Sequence, residues 1–458
     1  MDINPDIFRQ YDIRGKVDTD LTEDSVSVLG RSFGAYLAGA GAKKVSLASD
    51  NRLSSDGFRE IISEELHKSG LHVVDYGVIP TPVFYSTLFM TDSAGGVMIT
   101  GSHNPPDFNG FKIARGQSTI YGEEIQKIRQ IADNGRFTVG KGSVTRSDAK
   151  PAYIEHIAKN VSLGRRVKIA VDCGNGTGGV VVPELFNRFD LDYKCLFCEP
   201  DGNFPNHHPD PTVPRYLEDL VKTVLDGGYE GGVAYDGDAD RIGVVDEKGQ
   251  VIWGDRLLII FARDILKSNP GARVIFEVKC SQALVEAIDR AGGVPVMWKT
   301  GHSLIKSKMK LEGALLAGEM SGHIFFSDRY YGFDDAIYAS LRLIEIMSRH
   351  DGPLSSLLAD VPVYFTTPEI RLESSDREKF GVVEKMGEYF KDKYEVIDID
   401  GARVLFDDGW GLVRASNTQP VLVLRFEATS EERLKAIIAE MTAALSDVMR
   451  RPVTLPEG

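Results

Sequence analysis

Four short stretches hold side chains whose types and spacing suit chemistry. The first, Thr100-Gly101-Ser102-His103-Asn104-Pro105-Pro106, runs on into Asp107-Phe108-Asn109-Gly110-Phe111-Lys112. Glycine before the serine permits a tight turn and the prolines forbid strand continuation, so Ser102 is presented at a strand end. As a hydrolase nucleophile with His103 as base it reads poorly. Adjacent side chains rarely face each other, and no G-x-S-x-G elbow is present. A serine that carries a phosphoryl group and a plain Ser/Asn turn remain. The second stretch, Asp236-Gly237-Asp238-Ala239-Asp240-Arg241, follows the apolar Gly232-Val233-Ala234-Tyr235. Carboxylates at i, i+2 and i+4 in one tight loop repel each other unless a hard divalent cation sits among them. An EF-hand competes, with Glu247 at the twelfth position, but its required sixth glycine is Arg241 and strands flank the loop. Magnesium that also touches a phosphate is the better reading. In the third stretch, Gly318-Glu319-Met320-Ser321-Gly322-His323, a carboxylate and a hydroxyl two residues apart suit vicinal sugar hydroxyls. The fourth, Arg414-Ala415-Ser416-Asn417-Thr418-Gln419-Pro420, with Arg425 on the next strand, offers a guanidinium and clustered donors for phosphate oxygens.

Alternating strand and helix patterns must position these stretches. Leu21–Ala38 reads as a helix with Thr22 as N-cap, Lys44–Ser49 as a strand, Gly57–Lys68 as a helix, and Leu71–Tyr76 and Gly96–Thr100 as strands. The rhythm returns at Val167–Cys173, Arg273–Val278, Ser281–Arg290 and Val294–Trp298. Such alternation predicts an α/β fold with mostly parallel sheets. Beyond Val363 five strands (Val363–Glu373, Tyr394–Asp398, Arg403–Phe406, Gly411–Ala415, Val421–Glu427) and a closing helix over Ser430–Met449 predict a smaller α+β domain. A weak repeat links Ala94–Ser102, Glu230–Asp238 and Glu312–Glu319: small residues, an apolar strand, then glycine beside polar groups. Three related domains ending a strand at the same place would aim three loops at one cleft. The expected boundaries are 1–147, 148–250, 251–361 and 362–458.

The chain of 458 residues is too long for one ordinary core, and 42% hydrophobic with 26% charged residues is a globular composition. A net charge of −14 disfavours nucleic acid and anionic membranes as partners. No run of apolar residues is long enough for a membrane span, and the acidic N-terminus does not read as a secretory signal, so a cytoplasmic protein is expected. Four cysteines are too few for a disulfide scaffold. Cys195-x-x-Cys198 lacks a second pair for zinc, so two residues in or beside a strand are expected.

Together the four stretches resemble one family, the α-D-phosphohexomutases, over nearly the whole chain and in order. Tyr11-Asp12-Ile13-Arg14-Gly15, Asp201-Gly202-Asn203-Phe204-Pro205 and Lys299-Thr300-Gly301-His302 support the resemblance. It implies three similar mixed α/β domains and a smaller C-terminal α+β domain around a central cleft. It implies interconversion of a hexose 1-phosphate and 6-phosphate (mannose, glucose or both) through phospho-Ser102 and a bound 1,6-bisphosphate. One Mg2+ per chain would be held by Ser102, Asp236, Asp238 and Asp240, with glucose 1,6-bisphosphate as activator. Arg241 would add charge at the metal loop, and His103, Lys112 and His302 are the acid/base alternatives. Tyr11 and Arg14 would line the cleft near phosphoserine. Lys279, Glu319, Ser321 and His323 would meet the sugar, and Arg414, Ser416, Asn417, Thr418 and Arg425 the non-reacting phosphate. Met320 points to the mannose/glucose branch. A glucosamine-phosphate mutase is the alternative within the family, and a non-catalytic sugar-phosphate binder outside it. Small-molecule sugar phosphates are the expected partners, and a monomer is expected.

Overall fold

A computed structural model describes residues 3–417 and 419–455. Its strands form four sheets, and the first three share a core pattern. In the first, strands His72–Val78, Lys44–Ser49 and Gly95–Ile99 run parallel, and Phe108–Arg115 adds antiparallel to the last. In the second, Asp192–Leu196, Lys168–Asp172 and Gly231–Tyr235 run parallel, with Ile242–Asp246 antiparallel. In the third, Val294–Trp298, Arg273–Glu277 and Leu316–Gly318 run parallel, with Ile324–Phe326 antiparallel. The weak sequence repeat is therefore a topological one. In each sheet the candidate stretch is the turn from the last parallel strand into the antiparallel strand. These central strands are buried on both faces because helices cover them, which is why they read as unbroken apolar runs.

The fourth sheet is antiparallel through Ala402–Phe406, Gly409–Ala415 and Val421–Ala428, and the fourth stretch is its last hairpin. Helices Lys379–Lys391 and Glu431–Met449 cover it, and Met386, Phe390, Leu424, Phe426 and Met441 fill its separate core. One continuous core crosses the first three units. It runs from Phe84 and Tyr153 through Tyr235 to Phe261 and Tyr338. The fourth unit joins through Trp410 and Leu412 against Val278.

Most expected elements form. Helix Glu23–Gly39 is capped by Thr22, whose side chain accepts from Ser25 N. Helix Thr81–Met90 went unread because its residues are apolar on every side and buried on nearly all, leaving no 3.6-residue contrast. Val363–Glu373 is two short strands, Phe365–Thr366 and Ile370–Glu373, rather than one. Cys195 lies in strand Asp192–Leu196 with Cys198 just beyond, as expected; the structure also joins them in a disulfide. No helix among the described residues is long and apolar enough to cross a membrane.

Candidate active site

Ser102 sits at the tip of the first turn, buried, with φ +48°. Left-handed backbone at a serine is uncommon, and here three contacts hold it. Ser102 N donates to Thr100 Oγ1 at 2.8 Å, Arg52 donates to Ser102 O at 2.7 Å, and Ser102 Oγ donates to Asp236 Oδ2 at 2.7 Å. The same guanidinium also donates to the carbonyls of Asn104, Pro105 and Phe108 at 2.6, 2.6 and 2.9 Å. Gly101 is required because a Cβ there would lie 2.5 Å from Arg52 Cζ. Arg52 was not singled out in the sequence. Its signal was position: it follows a parallel strand's C-terminal end, as Ser102, Asp236 and Glu319 do.

The left-handed turn also corrects an expectation. His103 Nδ1 lies 3.1 Å from Ser102 Oγ, so these adjacent side chains do meet. Burial, then Arg241 and Arg14, hold the His103 pKa well below the usual histidine value, so the imidazole is neutral.

Asp236, Asp238 and Asp240 are fully buried and present oxygens within 4.8 Å of one another. Asp236 Oδ1 accepts from the backbone N–H groups of Asp240 and Arg241, both at 3.1 Å. Burial, then the charges of Asp240 and Asp238, push the Asp236 carboxyl well up. Burial opposes charge on Asp240 too, but Lys112 and His323 outweigh it and hold that carboxyl well down. Lys112 Nζ, from the antiparallel strand of the first sheet, donates to Asp238 Oδ2 at 2.7 Å and to Asp240. Thr81 Oγ1 donates to Asp238 Oδ2 at 2.6 Å. Asp238 Oδ1 remains buried without a partner. A buried lone carboxylate oxygen beside two other carboxylates is a donor set that fits a hard divalent cation. Glu247 points elsewhere, accepting from Ser355 N at 3.0 Å, so the loop is not an EF-hand.

His323 ties the third loop to the second. Its Nδ1 lies 2.8 Å from Glu319 Oε2 and its Nε2 lies 3.3 Å from Asp240 Oδ1. Burial lowers the His323 pKa, but Asp240 and Glu319 outweigh it and raise it to about 9, so the ring is an imidazolium. Glu319 is buried, which raises its pKa, yet His323 and the Gly301 amide bring it down to about 2. Gly301 N donates to Glu319 Oε1 at 2.6 Å, and Ser321 Oγ lies 3.1 Å from His323 Nδ1. His302 packs beside His323, ring centroids 5.6 Å apart, with its Nδ1 3.3 Å from Asp334 Oδ2. Lys306 joins Asp334 at 2.8 Å. Asp334 and Lys306 carry no spacing signal in the sequence, since one lies in a loop and the other in helix His302–Glu312, 28 residues apart.

Arg414 pairs with Asp400 at 3.1 Å, and Asn417 Nδ2 donates to Tyr11 OH at 2.7 Å. Tyr11 OH donates in turn to Thr300 O at 2.7 Å. Tyr11 therefore stands where the first, third and fourth units meet. Arg14 does reach the serine loop, donating to Asn104 Oδ1 at 3.0 Å and pairing with Asp12 at 2.7 Å. Ser416 Oγ accepts from Gln419 N at 3.2 Å. Thr418 lies outside the described residues. Arg425 does not join the others: it turns into the interface, donating to Lys279 O and facing Asp255.

Lys279 pairs with Glu369 at 2.9 Å and Glu277 at 3.5 Å, so one ammonium links the third unit to the fourth. Lys279, against the opposing effect of burial, holds the Glu369 carboxyl down to about 2. A depressed carboxyl contributes stability above its ordinary range that is lost as pH falls through the folded value. On acidification toward pH 2, wild-type protein should lose this tie, seen as an increased radius of gyration by X-ray scattering. Glu369→Gln should show the wider spacing already at pH 7. Identical acid profiles for the two proteins would refute the assignment.

Models of the phosphoglucomutase/phosphomannomutase family match in four consecutive parts. These are α/β/α domains I, II and III at residues 5–139, 151–249 and 253–364, and the C-terminal domain at 369–444. The chain belongs to this family, the α-D-phosphohexomutases. It is 46% identical to a phosphomannomutase/phosphoglucomutase of Pseudomonas syringae pv. tomato, covering 97% of this chain and 96% of that one. It is 47% identical to a phosphoglucomutase of Neisseria gonorrhoeae, covering 95% of each. Among solved structures, a phosphoglucomutase/phosphomannomutase family protein of Burkholderia thailandensis superposes with a TM-score of 0.94 at 41% identity over 100% of both chains.

Proposed function

We propose that this enzyme interconverts the 1-phosphate and 6-phosphate of a hexose, mannose or glucose, through phospho-Ser102 and a bound 1,6-bisphosphate. The observation that carries the reading is Ser102 Oγ, fixed on a clamped turn at 2.7 Å from Asp236 within the three-aspartate cluster. A hydroxyl needed only for folding would not require that setting.

Ser102 gives its phosphoryl group to the free hydroxyl of the bound sugar phosphate. Asp236, Asp238 and Asp240, with Ser102, would hold a Mg2+, which would supply positive charge to offset the charge spreading over the transferred oxygens. Lys112 is already paired with two of those aspartates, so it balances the loop's charge or shifts toward the transferred group. Arg241, beside the loop, adds a charge that cannot be lost by deprotonation. His103, 3.1 Å from Ser102 Oγ, Lys112 and His302 stay the acid/base alternatives. Glu319 and Ser321 would take ring hydroxyls in both orientations of the bisphosphate, and Arg414, Ser416, Asn417 and Thr418 the distal phosphate. Domain limits near residues 147, 250 and 361 belong to the same proposal.

A coupled assay on mannose 1-phosphate, glucose 1-phosphate and glucosamine 1-phosphate, with catalytic glucose 1,6-bisphosphate, tests this. Turnover of the first two supports the proposal; turnover of the glucosamine compound alone would reassign the substrate, and none at all would leave a binder. Asp238→Asn removes one of three carboxylates from the cation and leaves Thr81 a partner. The Mg2+ concentration for half-maximal activity should rise by about tenfold or more. An unchanged requirement would place the ion elsewhere.

A further inference from the structure

Cys173, Cys195 and Cys198 take no part in the site above, yet the fold gathers them. Cys173 follows strand Lys168–Asp172, and Cys195 lies in the parallel neighbour, level with Val171. The Cys195–Cys198 disulfide spans a Cα–Cα distance of 6.0 Å. Cys173 Sγ lies 3.3 Å from Cys198 Sγ, so Cys198 touches both other sulfurs. Cys195 and Cys198 are half-buried, whereas Cys173 is fully buried. Between the paired cysteines Phe197 has φ +49°, a conformation a bulky side chain rarely takes.

The cluster also stands directly behind the aspartate loop. Cys173 N donates to Leu196 O at 3.0 Å and Asn175 N to Phe197 O at 2.8 Å, so the two turns are laced together. Four residues on, Thr177 donates to Gly237 O from its amide at 2.9 Å and from its hydroxyl at 3.1 Å. Gly237 lies between Asp236 and Asp238. The sulfur bonding pattern therefore bears on that loop.

We propose that Cys195–Cys198 is a reversible thiol–disulfide site, open to small dithiols and low-mass disulfides, with Cys173 as a third thiol that can take over Cys198. In reduction, a dithiol's thiolate attacks Cys195 Sγ, the Cys195–Cys198 bond breaks, and Cys198 leaves and takes up a proton. The reductant's second thiolate then attacks its own bound sulfur and releases Cys195. Two electrons and two protons pass to the protein, and the reductant becomes a disulfide. In the internal exchange, Cys173 thiolate attacks Cys198 Sγ, the Cys173–Cys198 bond forms, and Cys195 leaves with the proton Cys173 gave up. That step needs no oxidant. Burial, then Asp172, push the Cys173 thiol well above its usual pKa, which slows its attack on Cys198.

Alkylation of folded protein followed by peptide mapping tests the site. Cys195 and Cys198 should be linked and unlabelled before dithiothreitol and both labelled after it, with Cys173 labelled more slowly. Cys195→Ser treated with oxidised glutathione should yield a Cys173–Cys198 linkage with release of two glutathione thiols. If that variant fails to fold, wild-type protein partly reduced and quenched in acid should contain the same linkage. Amide exchange across residues 173–178 and 236–241 should quicken on reduction, and no change in either segment would overturn the link to the loop. Immediate labelling of both Cys195 and Cys198 in untreated protein would overturn the proposal. So would glutathione adducts without the Cys173 linkage, or one bound zinc protecting all three thiols.

Discussion

Ser102→Ala should lower turnover by about 10^4-fold or more, equivalent to about 5.5 kcal/mol of transition-state stabilisation. A mutase that passes its phosphoryl group through Ser102 loses the covalent route with that hydroxyl, and among the described residues no other hydroxyl donates to Asp236. Folding should hardly change. The substitution deletes one donor to Asp236 Oδ2, worth about 1 kcal/mol, while Asp236 Oδ1 keeps its two backbone donors. Substrate affinity should be preserved, because the substitution leaves Arg414 and Asn417 unchanged. Intact-mass spectra should show one phosphoryl group on wild-type protein incubated with the bisphosphate and none on the variant. A variant that keeps a tenth of wild-type turnover would end the phosphoserine reading.

Arg52→Ala should cost about 3–5 kcal/mol of stability, the range for removing one member of a buried charged network. The side chain is fully buried, lies 3.3 Å from Asp50, and satisfies four carbonyls of the serine loop. Its loss leaves the Asp50 charge and those carbonyls without it in a site closed to bulk water. Activity should fall with stability, since the loop then no longer holds Ser102 at φ +48° against Asp236. Arg52→Lys should restore little, because an ammonium cannot span four acceptors as a planar fork does. Urea unfolding followed alongside turnover separates the two effects. If Arg52→Ala unfolds within about 1 kcal/mol of wild type, the loop is held by something else.

Much of the site was legible before the structure. The Asp236–Asp240 spacing, Gly101 before Ser102, and the Arg414 hairpin are local signals whose physics acts within a few residues. Arg52, Asp334, Lys306 and Glu369 were not legible, because each is an ordinary polar residue until a distant strand approaches it. Tyr11 shows the same limit differently. Its hydroxyl bridges Thr300 and Asn417, partners 289 and 406 residues along the chain. Arg425 had the right type and neighbourhood for phosphate, but its strand face carries it into the interface with Lys279 O.

Composition, periodicity and turn chemistry determined that this protein is built from strand–helix units, each ending a strand in a chemically loaded turn. Those are properties of contiguous residues, set by backbone sterics and the burial of alternating apolar faces. Which groups face one another across the cleft was decided only by tertiary structure. Lys112 against Asp238 and Asp240, His323 against Asp240, and Lys279 against Glu369 all pair charges from different units. Burial makes those pairings strong, and a linear sequence carries no distance through which such charges could act.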